Sequence, residues 1–218
     1  SKILNDDLKY IHLNNDNKNF FKNKNILITG YQGFIGYELT NYFIKYFKEL
    51  KIKKLILIDI KKKIFLNKSK IICIQKDIAK MNLEKEFKSI KIDIIIHAAS
   101  IASPVFYRIY PIETLESNIF GLNNILKFAK KHKISRILYF SSSEIYGNPD
   151  KNNIPTKENY NGNVSSVGPR SCYDEAKRIC ETMCYVYNKK YKLPVRIARP
   201  FNNYGPGLSI NDKRLPAD

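Results

Sequence analysis

The sequence has 218 residues, of which 44% are hydrophobic and 27% are charged, the composition of an ordinary globular protein. No apolar run approaches the roughly 20 residues that cross a bilayer, and no signal peptide is recognisable, so we expect a cytoplasmic protein without a membrane partner. The formal net charge of +18 comes mostly from scattered lysines, without a basic stripe interleaved with aromatic residues, which argues against a nucleic-acid partner.

The polar segment 1–24 comes first and is interpreted as an N-terminal extension with room for one short helix. From Asn25 onward, apolar runs without polar alternation are separated by amphipathic segments. This pattern predicts an α/β fold with a doubly wound parallel sheet, in which ligands lie beyond the carboxyl ends of the strands. The predicted strands are 26–29, 55–59, 71–75, 93–97, 136–141 and 194–199, and the predicted helices are 34–48, 83–89, 113–132 and 170–191.

Three glycines spaced three apart follow the first predicted strand. Gly30 lets the chain reverse, Gly33 lets the backbone approach a phosphate, and Gly36 lets the next helix pack close to the strand. The N–H groups of the first helical turn, at Phe34 and Ile35, would then point at a pyrophosphate. By themselves, the three glycines are weak evidence, and a glycine-rich turn without a ligand is the alternative interpretation.

The second predicted strand ends in Asp59, about twenty residues after the last glycine, which is the spacing of a dinucleotide-binding fingerprint. A carboxylate there accepts hydrogen bonds from both hydroxyls of an adenosine ribose and repels a 2′-phosphate. NAD is therefore favoured over NADP as the cofactor. The lysines at 61–63 could offset that repulsion, although a solvated run is the simpler interpretation.

The remaining strand ends also carry small or polar residues, as expected of a ligand-binding edge. Asp77 and Ile78 follow the third strand, where they could contact the adenine amino group. The small residues after the fourth strand, which leave room for a cofactor to lie flat, are Ala98, Ala99 and Ser100. The fifth and sixth strands end in the polar runs 141–144 and 199–203.

Tyr173 and Lys177 are four residues apart in a predicted helix, so the phenol and the ammonium lie on one face. A nearby ammonium stabilises the phenolate, which can then take a proton from a sugar hydroxyl. Ser142 is expected to hydrogen-bond the same hydroxyl. Glu144 would be costly to desolvate there, which suggests a catalytic task; the alternative is a residue that caps the next turn and faces water.

Cys172, Cys180 and Cys184 fall in the same predicted helix, with the last two one turn apart. No histidine or fourth ligand lies nearby, so buried free thiols are favoured over a metal site. Four cysteines in a chain of this size argue for reduced thiols.

Taken together, these motifs resemble the extended short-chain dehydrogenase/reductases that act on nucleotide sugars, over residues 25–218. Within that family, the segments 99–118 and 168–184 are most similar to UDP-glucuronate decarboxylases. The resemblance implies an NAD-binding Rossmann domain over 25–199 that carries the catalytic residues, and the start of a small substrate-binding domain at 200–218. It implies further cofactor contacts for Asn118, Tyr173, Lys177 and Pro200. It implies substrate contacts for Ser103, Tyr107, Ser142, Glu144 and Asn202.

The same resemblance implies a mechanism and an assembly. Tyr173, helped by Ser142 and Lys177, takes the proton of the C4 hydroxyl while a hydride passes to NAD, which gives a 4-keto sugar. Carbon dioxide then leaves, because the carbanion delocalises as an enolate, and the hydride returns to C4. Glu144 orients the sugar ring or a water. The family also forms a homodimer through helices 113–132 and 170–191, the second of which has Ile179, Met183 and Val186 at helical spacing.

The sequence departs from this family in two places. Ser142 stands where the decarboxylases usually carry Thr, a change that keeps the hydroxyl. The chain also ends soon after Gly207, where the family continues with the residues that close over the nucleotide. We therefore expect the substrate-binding domain to be largely absent from this chain, and a truncated, non-catalytic NAD-binding protein is the alternative from another functional class.

Two other activities of the family are also alternatives. Nucleotide-sugar 4,6-dehydratases place an Asp directly before the Glu, and this chain has Ser143 there, which disfavours elimination. The 4-epimerases generally lack the Glu, so Glu144 argues against epimerisation. Decarboxylation of UDP-glucuronate is the favoured prediction.

Overall fold

The computed structural model of the chain describes residues 1–61 and 69–208. Lys62 and Lys63 of the predicted lysine run lie outside the described residues, as do residues 209–218.

Six parallel strands form one sheet in the order β3-β2-β1-β4-β5-β6. The strands are β1 (Asn25–Thr29), β2 (Lys54–Asp59), β3 (Ile71–Gln75), β4 (Ile94–His97), β5 (Arg136–Phe140) and β6 (Val195–Ala198). Their bounds lie within one residue of the predicted ones, and the doubly wound α/β fold is confirmed. The strand order reverses between β1 and β4, and a ligand crevice is expected at that point.

The helices cover both faces of the sheet. They are α1 (Lys2–Leu13), α2 (Phe34–Lys45), α3 (Leu83–Glu86), α4 (Pro104–Ile109), α5 (Pro111–His132) and α6 (Ser171–Tyr191). Three shorter 3₁₀ turns cover Lys18–Phe21, Ser143–Tyr146 and Lys151–Asn153. Among the helices of the described ranges, none combines the length and the apolar character needed to span a membrane.

Three helices differ from their predictions. Helix α2 ends three residues early, because Leu50 and Ile52 are buried and the chain turns back to the sheet to bury them. Helix α3 is a single turn of four residues. Helix α4 was not predicted; Pro104 occupies its first turn, and Pro111, which cannot donate a backbone hydrogen bond, begins the next helix instead of extending it.

The core has one apolar cluster on each face of the sheet, because alternate strand residues point to opposite sides. Leu27 and Ile95 face α5 and α6, whereas Ile26 and Ile96 face α1 and α2. All four side chains are buried.

Helix α1 contributes buried residues to the apolar cluster that contains Ile26 and Ile96. Leu4 and Leu8 are buried against α2, and the His12 imidazole stacks on Tyr46 with ring centroids 3.7 Å apart. Nε2 of His12 also lies 3.0 Å from a carboxylate oxygen of Glu49. The sequence suggested a polar extension at this place, because the apolar residues of α1 are interspersed with Asn, Asp and Lys.

We predict that Leu8→Ala lowers the free energy of unfolding by about 2–3 kcal/mol, because Leu8 is only 3% exposed and its removal leaves a cavity. Leu13→Ala, on the same helix but 65% exposed, should change it by less than about 0.5 kcal/mol. Urea unfolding followed by circular dichroism measures both. Equal effects of the two substitutions would show that α1 does not pack on the sheet.

Candidate active site

The turn between β1 and α2 explains two of the three predicted glycines by geometry. Gly30 has a φ of +72°, and a Cβ there would lie 2.6 Å from the Cα of Ala99. A Cβ on Gly36 would lie 2.0 Å from the carbonyl oxygen of Gly30. Gly33 is the N-cap of α2 and no side chain caps this helix end, so the turn forms a cradle lined by backbone.

Asp59 ends β2 beside this turn and is held by two backbone amides. Its Oδ2 accepts a hydrogen bond from the Gln32 N–H at 2.9 Å, and its Oδ1 accepts one from the Lys61 N–H at 3.0 Å. Asp77 is fixed in a similar way, since its Oδ1 accepts from the Ala79 N–H at 2.9 Å. Both carboxylates are therefore oriented by the backbone.

Asp59 and Asp77 line a cavity of about 460 Å³, which we call the aspartate groove. The other predicted cofactor residues on its wall are Gly30, Gly33, Ile78, Ala98, Ala99 and Ser100. The groove thus brings together residues from the ends of β1, β2 and β4 and from the segment after β3.

A second cavity, of about 420 Å³, contains the predicted catalytic residues and is called the tyrosine cavity here. Predicted residues on its wall are Gly33, Phe34, Ile35, Gly36, Tyr107, Ser142, Glu144, Tyr173, Lys177, Pro200 and Asn202. Gly33, Ala98 and Ser100 line both cavities, so the two adjoin at the glycine turn.

Helix α6 positions Tyr173 and Lys177 one turn apart. The Lys177 ammonium is buried and donates a hydrogen bond to the Phe140 carbonyl at 2.9 Å. It lies 5.6 Å from the centroid of the Tyr173 ring. Burial lowers the pKa of Lys177 from 10.5 to about 8. On its other side, Tyr173 stacks on Tyr107, with ring centroids 5.1 Å apart and planes 11° from parallel.

Ser142 and Glu144 follow the end of β5. The Oγ of Ser142 accepts a hydrogen bond from the Glu144 N–H at 3.3 Å, which fixes the turn. The Glu144 carboxylate contacts the Arg170 guanidinium on the wall of the tyrosine cavity. The interpretation of Glu144 as a solvated cap of the next turn therefore differs from the structure.

Arg170 is the functional candidate that the sequence analysis missed. It stood inside a segment that supported the family resemblance, but no role was inferred for it. Its position three residues before Tyr173, at the start of the same helix, is the signal that could have found it. Its Nε lies 3.4 Å from Oδ2 of Asp174, one turn further along α6.

Two predicted site residues lie elsewhere than expected. Asn118 is buried in α5 and lines neither cavity; its Oδ1 accepts a hydrogen bond from the Ser100 hydroxyl at 3.0 Å. Ser103, predicted to bind the substrate, lines the aspartate groove instead of the tyrosine cavity. Asn118 is thus linked to the wall of the two cavities through its hydrogen bond with Ser100.

His97 and the cysteines of α6 line neither cavity. His97 is buried, its Nδ1 lies 2.7 Å from the Thr29 hydroxyl, and burial lowers its pKa to about 3. Cys180 and Cys184 are buried free thiols, whereas Cys172 is only half-buried. Within the described residues, no cluster of histidine, cysteine and carboxylate side chains could hold a metal ion.

The sequence model of the NAD dependent epimerase/dehydratase family matches residues 26–217 of the chain. The chain belongs to this family. The family predicted from the motifs is thus confirmed, and NAD is the cofactor by which the family is defined.

Named relatives support this assignment. UDP-glucuronic acid decarboxylase 1 of Xenopus tropicalis is 39% identical over 194 residues, which are 88% of this chain and 44% of the relative. UDP-glucuronic acid decarboxylase 6 of Arabidopsis thaliana is 37% identical over 209 residues, which are 91% of this chain and 57% of the relative. The chain spans about half the length of the curated relatives it matches.

Solved structures of family members have the same fold. A UDP-N-acetylglucosamine 4-epimerase from Methanobrevibacter ruminantium, in complex with UDP-N-acetylmuramic acid, superposes with a TM-score of 0.71 at 28% identity, over 87% of this chain and 58% of that one. A dTDP-glucose 4,6-dehydratase from Bacillus anthracis, in complex with NAD, gives a TM-score of 0.64 at 25% identity, over 84% and 56%.

We predict that Lys177 makes the stability of the protein rise with pH between about 8 and 10.5. The folded chain releases the Lys177 proton near its pKa of about 8, whereas the unfolded chain releases it near 10.5. The unfolded state therefore binds more protons in this window, and folding gains up to about 3 kcal/mol across it. Lys177→Met should remove this gain.

The test is the free energy of unfolding by urea at several pH values for the wild type, Lys177→Met and Lys189→Met. Lys189 is exposed on the same helix, so its substitution should leave the slope unchanged. A wild type and a Lys177→Met variant with parallel pH profiles would contradict the lowered pKa.

Proposed function

We propose that this protein decarboxylates UDP-glucuronate with NAD as a bound cofactor. The observation that carries the proposal is the adjacency of the two cavities: the aspartate groove shares wall residues with the cavity that is lined by Tyr173, Lys177, Ser142 and Glu144. The similarity to UDP-glucuronic acid decarboxylases supports the choice of substrate.

The residues present fit NAD at three points. Asp59 offers a carboxylate, already oriented by backbone amides, to the hydroxyls of an adenosine ribose. The turn at Gly30 and Gly36 is a backbone cradle that a Cβ would fill. The uncapped start of α2 suits a pyrophosphate. When bound, NAD would supply an acceptor and donor of hydride at C4 of the sugar.

The chain's own residues would handle the protons. Tyr173, as a phenolate stabilised by the nearby Lys177 ammonium, takes the proton of the C4 hydroxyl. Ser142 hydrogen-bonds the same hydroxyl and fixes its direction. In a 4-keto sugar the C5 carboxylate is β to a ketone, so carbon dioxide can leave with the electron pair delocalised as an enolate. The enolate then takes up a proton from solvent at C5, which restores the ketone for reduction at C4. Glu144 faces the cavity where that carboxylate would lie.

The alternatives within the family are a 4,6-dehydratase and a 4-epimerase. Elimination requires a second acid next to Glu144, and Ser143 is a weak acid in that place. Epimerisation requires a keto sugar that rotates in the site, and the 4-epimerases that this family resemblance brings in generally lack the glutamate, so Glu144 argues against this alternative. The alternative of another class is a non-catalytic protein that binds NAD. Cytoplasmic localisation stays a prediction of the sequence.

A homodimer through the outer faces of α5 and α6 is part of the proposal. Ile179 and Val186 lie seven residues apart on α6 and are 43% and 47% exposed, and Phe120 on α5 is also exposed. Met183, which shares their spacing, packs partly on the core instead. An apolar stripe beside an exposed aromatic ring favours burial against a second copy.

For the reaction, we predict that the full-length natural protein releases carbon dioxide from UDP-glucuronate without net formation of NADH. Tyr173→Phe should slow this release by about 10²-fold or more, because it removes the proton acceptor. Tyr10→Phe, which changes an exposed tyrosine of α1, is the matched control and should keep full activity. Carbon dioxide release and the mass of the product nucleotide are the readouts.

An unchanged UDP-glucuronate in this assay would overturn the decarboxylase proposal. Neutral nucleotide sugars would then be tested for loss of water or inversion at C4. Binding of NAD without turnover of UDP-glucuronate or of neutral nucleotide sugars would favour the non-catalytic alternative.

For the assembly, we predict that the wild type sediments as a dimer at micromolar concentration and that Val186→Glu sediments as a monomer. The carboxylate that Val186→Glu introduces would be buried in the dimer interface without an ion-pair partner, which costs free energy of association. Tyr10→Glu, at an exposed apolar position far from α6 in sequence, should stay dimeric. A monomeric wild type in analytical ultracentrifugation would overturn the proposed dimer.

A further inference from the structure

Arg170 connects residues from three parts of the chain. It lies at the N-cap of α6 and lines the tyrosine cavity. Its guanidinium contacts the Glu144 carboxylate after β5 and the Asp174 carboxylate on α6. Burial raises the pKa of the Tyr107 phenol on α4, and the charge of Arg170 opposes that rise. Tyr107 in turn stacks on Tyr173, so Arg170 lies next to the proposed proton acceptor.

Asp174, one turn further along α6, contacts the Arg170 guanidinium. Its side chain is 9% exposed, and Oδ2 contacts Nε of the guanidinium at 3.4 Å. Burial raises the pKa of Asp174, and the charge of Arg170 opposes that rise. A carboxylate so far removed from water needs a cationic partner, and Arg170 is the guanidinium that it contacts.

Glu144 contacts the same guanidinium with its carboxylate. Its backbone is fixed by the bond from its N–H to Ser142, but its carboxylate has the Arg170 contact as its ion pair in the described structure. A free glutamate side chain has three rotatable bonds and would turn toward water. The planar fork of an arginine restrains a carboxylate in a way that a point charge does not.

We propose that Arg170 is a positioning residue that acts through Glu144, holding its carboxylate in the tyrosine cavity while Asp174 holds the guanidinium. The choice of substrate in the kinetic test rests on the proposed function. The pairing of Arg170 with Glu144 does not depend on that choice.

The kinetic test is a double-mutant cycle of Arg170→Met, Glu144→Gln and the double variant in the full-length natural protein, with UDP-glucuronate. A misplaced Glu144 should lower kcat by up to about 100-fold in Arg170→Met, with KM changed less than about twofold. The double variant should be no slower than the slower single variant, since both substitutions remove one unit. Arg170→Lys should recover part of the rate.

Arg108→Met is the matched control, because Arg108 is an exposed arginine next to Tyr107. It should leave kcat and KM unchanged. Independent losses that multiply in the double variant would overturn the proposal. So would a rise in KM alone, since it would mean that Arg170 binds the substrate directly.

Thermal unfolding of the same four proteins tests the pair without any substrate. If Arg170 and Glu144 act as one unit, the shifts in Tm are not additive, and the double variant melts no lower than the less stable single variant. Additive shifts would overturn the pairing. An inactive wild type with a coupled Tm would instead sink the proposed function and leave the positioning pair standing.

Discussion

The buried ammonium of Lys177 is the constraint on which the candidate site depends. A charge removed from water needs a hydrogen-bond acceptor, and the Phe140 carbonyl at the end of β5 supplies it at 2.9 Å. This bond ties α6 to the strand end from which Ser142 follows. Tyr173, one turn earlier on α6, thereby lines the same cavity as Ser142. The neutral His97 nearby adds no second positive charge to the same buried region.

The strand order decides how the two cavities meet. Because the order reverses between β1 and β4, the segments after these strands separate at one edge of the sheet. The Ala98 N–H donates a hydrogen bond to the Thr29 carbonyl at 3.1 Å, which keeps the two strand ends side by side. Gly33 and Ser100 then lie between the aspartate groove and the tyrosine cavity. A dinucleotide would reach from Asp59 toward Tyr173 along this line.

The run 199–203 combines two different tasks. Arg199 joins α6 to the turn after β5. Its Nε and Nη2 donate to both carboxylate oxygens of Glu181 at 2.9 and 2.7 Å, and its Nη1 donates to the Tyr146 hydroxyl at 2.8 Å. The Pro200 carbonyl accepts a hydrogen bond from the Ser143 N–H at 3.0 Å. These bonds hold the end of β6 against the turn that carries Glu144. Asn202 follows on the wall of the tyrosine cavity.

Sequence patterns predicted the strands well because each is a short apolar run between turn residues, and a parallel sheet buries both of its faces. They placed α1 and α4 poorly, since the apolar residues of α1 are interspersed with Asn, Asp and Lys, and α4 is a short helix bounded by two prolines. The glycines, Asp59 and the pair of Tyr173 and Lys177 could be found because their spacing along the chain is itself the signal. Contacts between distant segments have no such spacing.

The sequence by itself therefore determined the fold class, the dinucleotide fingerprint and the family, because these depend on local periodicity and on fixed intervals between residues. Only the tertiary structure decided that Asn118 lies behind Ser100, that Ser103 faces the aspartate groove, and that Glu144 pairs with Arg170. The physical reason is that the strand order and the packing of α6 on β5 bring together side chains that the sequence keeps far apart.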